Sequence, residues 1–302
     1  MDLDKLLCPL NRAPLSLAEG DEKVGVLAAG ETPDDVLSPG GGSYPILGGL
    51  PIVVPDAAGY LAAHREAVLA SLAEEGLADL KAVTLLRRFA DGVRGGAPVG
   101  FEDDWTAGEA AGEPAPFAAP DTDAGRALDA FLEALPDPWE RVAGSLTHRH
   151  REVLEVGPGA GALTKRLDDH GRRLWLTDLN PRALFAARRR APQASLAVMD
   201  AEALAFADAS FDGIVAANVI DLLAHPIELI AAAGPMLRPG GRLVLTTPDP
   251  WPWAGEEQHA RELVGDHGMK LITFADDLLW PRFHGDREMQ LFRLQLIVAE
   301  KV

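Results

Sequence analysis

The chain has 302 residues, of which 47% are hydrophobic and 25% are charged, an ordinary globular composition. Acidic residues outnumber basic ones by 46 to 28, and the resulting charge of −18 disfavours nucleic-acid binding, which relies on basic surface. The single cysteine, Cys8, excludes an intramolecular disulfide and, without clustered histidines, predicts no metal site. With no run of roughly 20 apolar residues and no signal-peptide pattern, we expect a cytoplasmic protein without a membrane segment.

Composition changes along the chain predict three segments, which cover residues 1–55, 56–145 and 146–302. The first carries short Val, Leu and Ile runs between Gly and Pro, as in SYPILGGLPIVVP, and these predict a small β-rich unit.

The second segment is predicted to be a helical linker. Apolar residues recur at helical spacing from Asp56 to about Arg94, and further helices are expected over residues 124–135 and 138–146. Between them, residues 96–120 are rich in Gly, Pro and acidic residues. We interpret this stretch, which includes Trp105, as a candidate lid.

The third segment alternates strand patterns with helix patterns. Such alternation predicts a doubly wound α/β fold with a mostly parallel sheet, in which ligands bind at the carboxyl ends of the strands. His148 and His150 precede the first of these strands and are expected to face solvent. Two final strand patterns, MKLITF and LFRLQLIVAEKV, predict an antiparallel C-terminal edge.

A glycine-rich turn is the strongest functional signal. Gly157, Gly159 and Gly161 lie between the first strand and its helix, where residues without a Cβ let a ligand approach the backbone. Alone, the string also fits a dinucleotide-binding motif. Acidic residues flank it: Glu155 within the strand, Asp178 at the end of the second strand and Asp200 at the end of the third.

This set, together with Phe211-Asp212 and the segment LRPGG, resembles the class I S-adenosylmethionine-dependent methyltransferases. The resemblance implies a Rossmann-like core and S-adenosylmethionine as cofactor. It places Glu155 and the glycines at the methionine end, Asp178 at the ribose and the remaining residues near the adenine or the sulfonium. The implied cofactor-binding residues are Glu155, Gly157, Gly159, Gly161, Asp178, Leu179, Asp200, Ala201, Asn218 and Val219.

The catalytic residue stays unknown at this point. Several small-molecule relatives carry a His after the fourth strand, where this chain has Leu222. We name His225, Trp251, Arg282 and His284 as candidates on the acceptor side, although His225 precedes Pro226 and also fits a helix start.

The N-terminal segment has a resemblance of its own. LLCPLNRAPL followed by SYPILGGLPIVVP looks like the zinc-ribbon-like domain that accompanies or activates some tRNA and protein methyltransferases. The paired cysteines of that domain are missing, since Asn11 stands where a second cysteine would fall after Cys8. We therefore expect a module without zinc.

The preferred function is methyl transfer to a small molecule or a short peptide. Two alternatives stay open: a methyltransferase of tRNA, rRNA or translation proteins, and a methyltransferase-like protein that binds without turnover. Nicotinamide-dependent reduction leaves Glu155 and LRPGG unexplained. The sequence is also compatible with a homodimer of this chain.

Overall fold

The structure of the protein is a computed structural model, which describes residues 3–29, 42–91, 121–249, 256–283 and 288–302. The candidate lid at 96–120, with Trp105, lies outside the described residues, and so do the catalytic candidates Trp251 and His284.

The N-terminal residues form a four-stranded antiparallel sheet in sequence order. Its strands are β1 (Leu15–Gly20), β2 (Val24–Ala29), β3 (Ser43–Leu47) and β4 (Leu50–Pro51). The predicted β-rich unit is thereby confirmed. The lone Cys8 is buried in it, with its Sγ 3.1 Å from the hydroxyl of Tyr44. The turn after Cys8 closes through its backbone N–H, which donates to Ala13 O at 2.8 Å.

Nine α-helices lie within the described ranges. They are α1 (Ala57–Ala63), α2 (Arg65–Glu74), α3 (Leu80–Ala90), α4 (Asp123–Ala134), α5 (Pro138–Gly144), α6 (Ala162–Asp169), α7 (Pro181–Arg190), α8 (Pro226–Met236) and α9 (Glu257–Asp266). Side chains of Asp, Thr or Asn cap five of them by accepting a backbone N–H of the first turn. In this part of the chain, no helix combines the length and apolar character needed to cross a bilayer.

A seven-stranded sheet forms the body of the protein. Its strands are β5 (Glu152–Val156), β6 (Arg173–Asp178), β7 (Ser195–Val198), β8 (Phe211–Ala217), β9 (Leu237–Thr247), β10 (Met269–Phe283) and β11 (Met289–Lys301). They lie in the order β10-β11-β9-β8-β5-β6-β7. The last strand, β11, pairs antiparallel with both neighbours, whereas the pairs among β5 to β9 are parallel. The mostly parallel sheet and the antiparallel C-terminal strand match the sequence prediction.

The strand order reverses next to β5. The chain moves from β5 to β6 and β7 on one side, then returns to place β8 on the other side of β5. In open α/β sheets, ligands bind in the crevice that such a reversal leaves at the carboxyl ends of the strands. The fold therefore predicts a ligand site at the carboxyl ends of β5 and β8.

The N-terminal sheet packs directly on this body. Leu6 forms an antiparallel bridge with Phe206, and Ile52 forms a parallel bridge with Val198 in β7. Lys5 adds an ion pair of 2.7 Å with Glu152 at the start of β5. The apolar residues of both sheets belong to one continuous core.

One expectation about exposure is wrong. His150, expected to face solvent, is buried, because its ring is held between Thr147 and the β9 residue Gly240. Its Nδ1 accepts the backbone N–H of Thr147 at 2.8 Å, and its Nε2 lies 3.1 Å from Gly240 O. It is a structural histidine that joins the start of β5 to β9.

Phe206 tests the packing of the core at the point where Leu6 bridges the body. It is fully buried between the edges of Trp175 and Phe211, with ring centroids at 5.3 and 5.0 Å. Phe206→Ala should lower the free energy of unfolding by about 3–5 kcal/mol, since it removes a large core side chain. Phe131→Ala, at a 42% exposed position of α4, should change it by less than about 0.5 kcal/mol. Urea unfolding measures both, and similar effects would contradict the core position of Phe206.

Candidate functional site

The glycine turn after β5 approaches β8 closely. Gly157 has a φ of +64°, and a Cβ built on it would lie 2.4 Å from Val219 Cγ2. Gly161 has a φ of +83° and precedes α6, where a Cβ would lie 2.8 Å from the backbone of Ala187 in α7. A side chain at either position would push these elements apart, so the turn requires glycine for its conformation and for its neighbours.

Glu155 is the buried carboxyl of the site. It is the penultimate residue of β5 and is only 2% exposed. Burial raises the pKa of Glu155 to about 8; nearby Thr164 lowers this pKa in part, and the charge of Asp178 raises it further. Neither Glu155 Oε2 nor Thr164 Oγ1 has a hydrogen-bond partner among the described residues. A buried acceptor without a donor is costly, and it fits a ligand that brings an N–H or a positive charge.

Asp178 ends β6 beside the glycine turn. Its Oδ1 accepts the backbone N–H of Asn180 at 2.8 Å. Burial raises the pKa of Asp178 to about 6, against the opposing effect of backbone N–H groups from Asn180, Leu179 and Gly159. The structure therefore brings Gly159, Asp178 and Glu155 into one electrostatic group.

Asp200 follows β7 and caps the short 3-10 turn Ala201–Ala203, with its Oδ1 accepting the N–H of Glu202 at 2.9 Å. Burial raises the pKa of Asp200, and the charge of Glu202 adds to this. Ala201 beside it is buried. Asp200 and Asp178 thus lie at the carboxyl ends of neighbouring strands.

Asn218 and Val219 directly follow β8. Asn218 has a φ of +55°, a left-handed conformation that Asn tolerates better than most residues. Its backbone N–H donates to Thr246 O at 2.9 Å, and its Oδ1 accepts from Thr246 Oγ1 at 2.9 Å. Its Nδ2 is buried without a partner in the described part of the chain. Val219 then packs against Gly157.

Comparison with known proteins identifies the family. A family model described as a methyltransferase domain matches residues 154–245. The ubiquinone biosynthesis O-methyltransferase of Xanthomonas axonopodis pv. citri is 32% identical over 168 residues, which cover 51% of this chain and 70% of that protein. The chain belongs to the S-adenosylmethionine-dependent methyltransferases.

Other similarities are more partial. Nodulation protein S of Rhizobium tropici is 35% identical over 132 residues, which cover 37% of this methyltransferase and 55% of that protein. The solved N-methyltransferase NodS of Bradyrhizobium japonicum with S-adenosylhomocysteine is 24% identical, with a TM-score of 0.42, and the match covers 60% of this chain and 93% of that one. For the first three curated relatives, the match spans 51%, 28% and 43% of their own length.

All ten predicted cofactor-binding residues of this methyltransferase lie at the carboxyl ends of β5, β6, β7 and β8. Direct proximity links Gly157 with Val219, Gly159 with Asp178, and Glu155 with Asp178. Their individual roles toward the cofactor stay predictions.

Two of the catalytic candidates, His225 and Arg282, lie within the described residues, and their roles stay predictions. His225 is exposed and precedes α8 as its cap residue, with its backbone N–H donating to Glu202 Oε1 at 2.7 Å. Arg282 is partly exposed near the end of β10 and is paired with Gln290 of β11, in a part of β11 that does not pair with β9. Leu222, in the position where some relatives carry a His, is 78% exposed.

Two residues of the site were missed from the sequence. Asp221 lies directly after Val219 and Ile220, and its Oδ1 accepts from Thr247 Oγ1 at 3.2 Å. Tyr60 reaches the site from α1, and its hydroxyl donates to Leu179 O at 2.6 Å. The NVIDLL segment was a usable signal for Asp221. Tyr60 lies in an ordinary helical pattern, which carries no sequence signal for its contact with Leu179.

Substitution of Asp178 tests its predicted contact with the ribose of the cofactor. Asp178→Ala should weaken S-adenosylhomocysteine binding about ten- to a hundredfold, since hydrogen bonds to a charged acceptor contribute roughly 1.5–3 kcal/mol. With its pKa raised to about 6, Asp178 becomes protonated below that pH, so wild-type affinity should fall as pH decreases from 7 to 5. In Asp178→Asn the fall should be shallower. Calorimetry at several pH values measures both, and an unchanged affinity in Asp178→Ala would contradict the assignment.

Substitution of Gly157 tests its close approach to Val219 after β8. Gly157→Ala should weaken S-adenosylhomocysteine binding by about tenfold or more, about 1.4 kcal/mol, because Val219 or the turn must shift. Gly171→Ala is the matched control, since Gly171 has a similar φ of +69° and nothing within 4 Å of an added Cβ. The control should lose about 1–2 kcal/mol of stability through its left-handed backbone and keep wild-type affinity. Equal losses of affinity would refute the packing argument.

Proposed function

We propose that this chain transfers a methyl group from S-adenosylmethionine to a small molecule or a short peptide. The observation that carries the proposal is the buried carboxyl of Glu155, whose Oε2 has no partner in the described ranges. It lies beside a glycine turn at the point where the strand order reverses. A carboxyl in this setting suits a ligand that brings an ammonium group and a sulfonium.

The remaining strand ends would hold the nucleoside. Asp178 would accept from the ribose hydroxyls, as acidic residues at this position of a βαβ unit do. Asp200 would accept from the adenine amine, with Leu179 and Ala201 providing apolar contacts to the ring. Asn218 and Val219 would lie near the sulfonium, across from Gly157.

When bound, S-adenosylmethionine supplies an electrophilic methyl group, and S-adenosylhomocysteine remains once the acceptor lone pair has taken it. The protein orients the two reactants in line and keeps water away, which accounts for most of the catalysis expected here. Glu155, as a carboxylate, would balance the positive charge of the bound cofactor.

Asp221 supports an acceptor that loses a proton. It is half-buried on the β8 and β9 side of the crevice, away from the nucleoside-binding strands. Burial raises the pKa of Asp221, and the charge of Asp249 adds to this while Thr247 lowers it. A carboxylate of raised pKa is suited to accept a proton from a hydroxyl or an amine. The relative named as an O-methyltransferase supports a hydroxyl acceptor.

The deciding experiment has a binding step and a transfer step. Calorimetry should show S-adenosylhomocysteine binding and no comparable binding of NAD. Methyl-labelled S-adenosylmethionine should then label members of a panel of phenols, amines and short peptides in preference to tRNA or rRNA. Tighter binding of NAD would refute the proposal, and binding without transfer to any acceptor would favour the non-enzymatic alternative.

The same assay tests Asp221. Asp221→Asn should lower the transfer rate by about a hundredfold or more, the range of a general base. Its affinity for S-adenosylhomocysteine should stay within about twofold, since its role is toward the acceptor. An unchanged rate would show that the acceptor proton leaves without help from this carboxylate.

A further inference from the structure

Residues 53–60 contact both strand ends that carry the aspartates proposed to bind the nucleoside. In β7, Val198 O accepts the backbone N–H of Val53 at 2.8 Å, two residues before Asp200. After β6, Leu179 O accepts from Tyr60 Oη at 2.6 Å, one residue after Asp178. A stretch of only eight residues therefore holds two neighbouring strand ends of the body.

We propose that Tyr60 is a positioning residue for the nucleoside end of the cofactor site, acting through its hydrogen bond to the carbonyl of Leu179. The inference rests on the proposed function, because it assigns a role toward the same cofactor. It extends the site to α1, which none of the sequence motifs reaches.

The Leu179 carbonyl depends on a donor from outside its own helix. Asn180 is the N-cap residue of α7, with its side chain accepting the N–H of Arg182 at 3.0 Å. The carbonyl of the N-cap residue accepts the first intrahelical hydrogen bond, so the carbonyl of the preceding residue has no donor within the helix. Tyr60 supplies that donor.

Fixing this carbonyl also fixes Asp178. Asp178 Oδ1 accepts the N–H of Asn180 at 2.8 Å, so the carboxyl and the Leu179 peptide belong to one short turn. A turn that is held before the ligand arrives costs less ordering on binding, and the affinity rises accordingly. Loss of the Tyr60 hydroxyl would leave the turn free to rotate away from the ribose.

Tyr60 is itself firmly held. It is 1% exposed, and Asp56 caps α1 by accepting the N–H of Gly59 at 2.8 Å. Burial, and then the charge of Asp178, raises the pKa of Tyr60 well above 10. The phenol therefore stays protonated and remains a donor across the pH range in which the protein is studied.

The chain offers a matched control, since Tyr44 is its only other tyrosine. Tyr44 is equally buried in the N-terminal sheet and pairs with Cys8 at 3.1 Å. Tyr60→Phe and Tyr44→Phe thus each remove one buried phenol hydroxyl. Only the first removes a contact with the nucleoside-binding turn.

The experiment compares the two variants with wild type in the full chain. Binding is measured with S-adenosylhomocysteine and with 5′-methylthioadenosine, which has the nucleoside without the amino-acid end. Tyr60→Phe should weaken both ligands by the same factor, about three- to tenfold. Tyr44→Phe should stay within about twofold for both, even if its thermal midpoint falls as far as that of Tyr60→Phe. Glu155→Gln should weaken S-adenosylhomocysteine alone.

The outcomes separate the two proposals. If wild type binds neither ligand, the proposed function and the inference that rests on it both fail. If wild type binds and Tyr60→Phe equals wild type, or matches Tyr44→Phe in its loss of affinity, the positioning role is wrong and the proposed function stands. A loss for S-adenosylhomocysteine without one for 5′-methylthioadenosine would also overturn the role at the nucleoside end.

Discussion

The close approach of Gly157 to Val219 is the constraint on which the site depends. It joins the carboxyl ends of β5 and β8, the two strands on either side of the topological reversal. The contact requires a left-handed glycine on one side. On the other side, Asn218 adopts a φ of +55° and is held by two hydrogen bonds to Thr246. Irregular backbone at both strand ends is thus stabilised by the regular sheet beneath it, as is common at functional sites.

The same crevice concentrates negative charge at a cost to the free protein. Burial raises the pKa of Glu155 from 4.5 to about 8, so the folded protein holds this proton more tightly than the unfolded chain does. The contribution of Glu155 to the free energy of unfolding therefore falls as pH rises from about 4.5 through about 8. The neighbouring Asp178, with a pKa of about 6, adds repulsion once both groups are ionised. A ligand that carries positive charge reverses this balance. The two buried carboxyls are therefore expected to favour a ligand with positive charge over a neutral or anionic one.

Local patterns predicted much of this architecture, and contacts between distant segments account for what they missed. The glycines and the acidic residues around Glu155 were visible because the turn and the strand ends are encoded within a few residues. His150 was misjudged as exposed because its burial depends on Gly240, 90 residues away. Tyr60 was missed for the same reason, since its partner Leu179 is 119 residues away. The left-handed Asn218 depends on Thr246 in the neighbouring strand and has no signature in its own segment.

The N-terminal segment completes the sheet as well as the site. An uncovered edge strand presents unpaired backbone groups, and β7 is the edge of the seven-stranded sheet. Ile52 and Val53 pair with Val198 and cover part of that edge. The chain then continues into α1, which carries Tyr60 to the neighbouring strand end. Because the Val53 pairing lies four residues before the start of α1, the contact that covers the sheet edge also fixes the helix whose Tyr60 holds the Leu179 carbonyl.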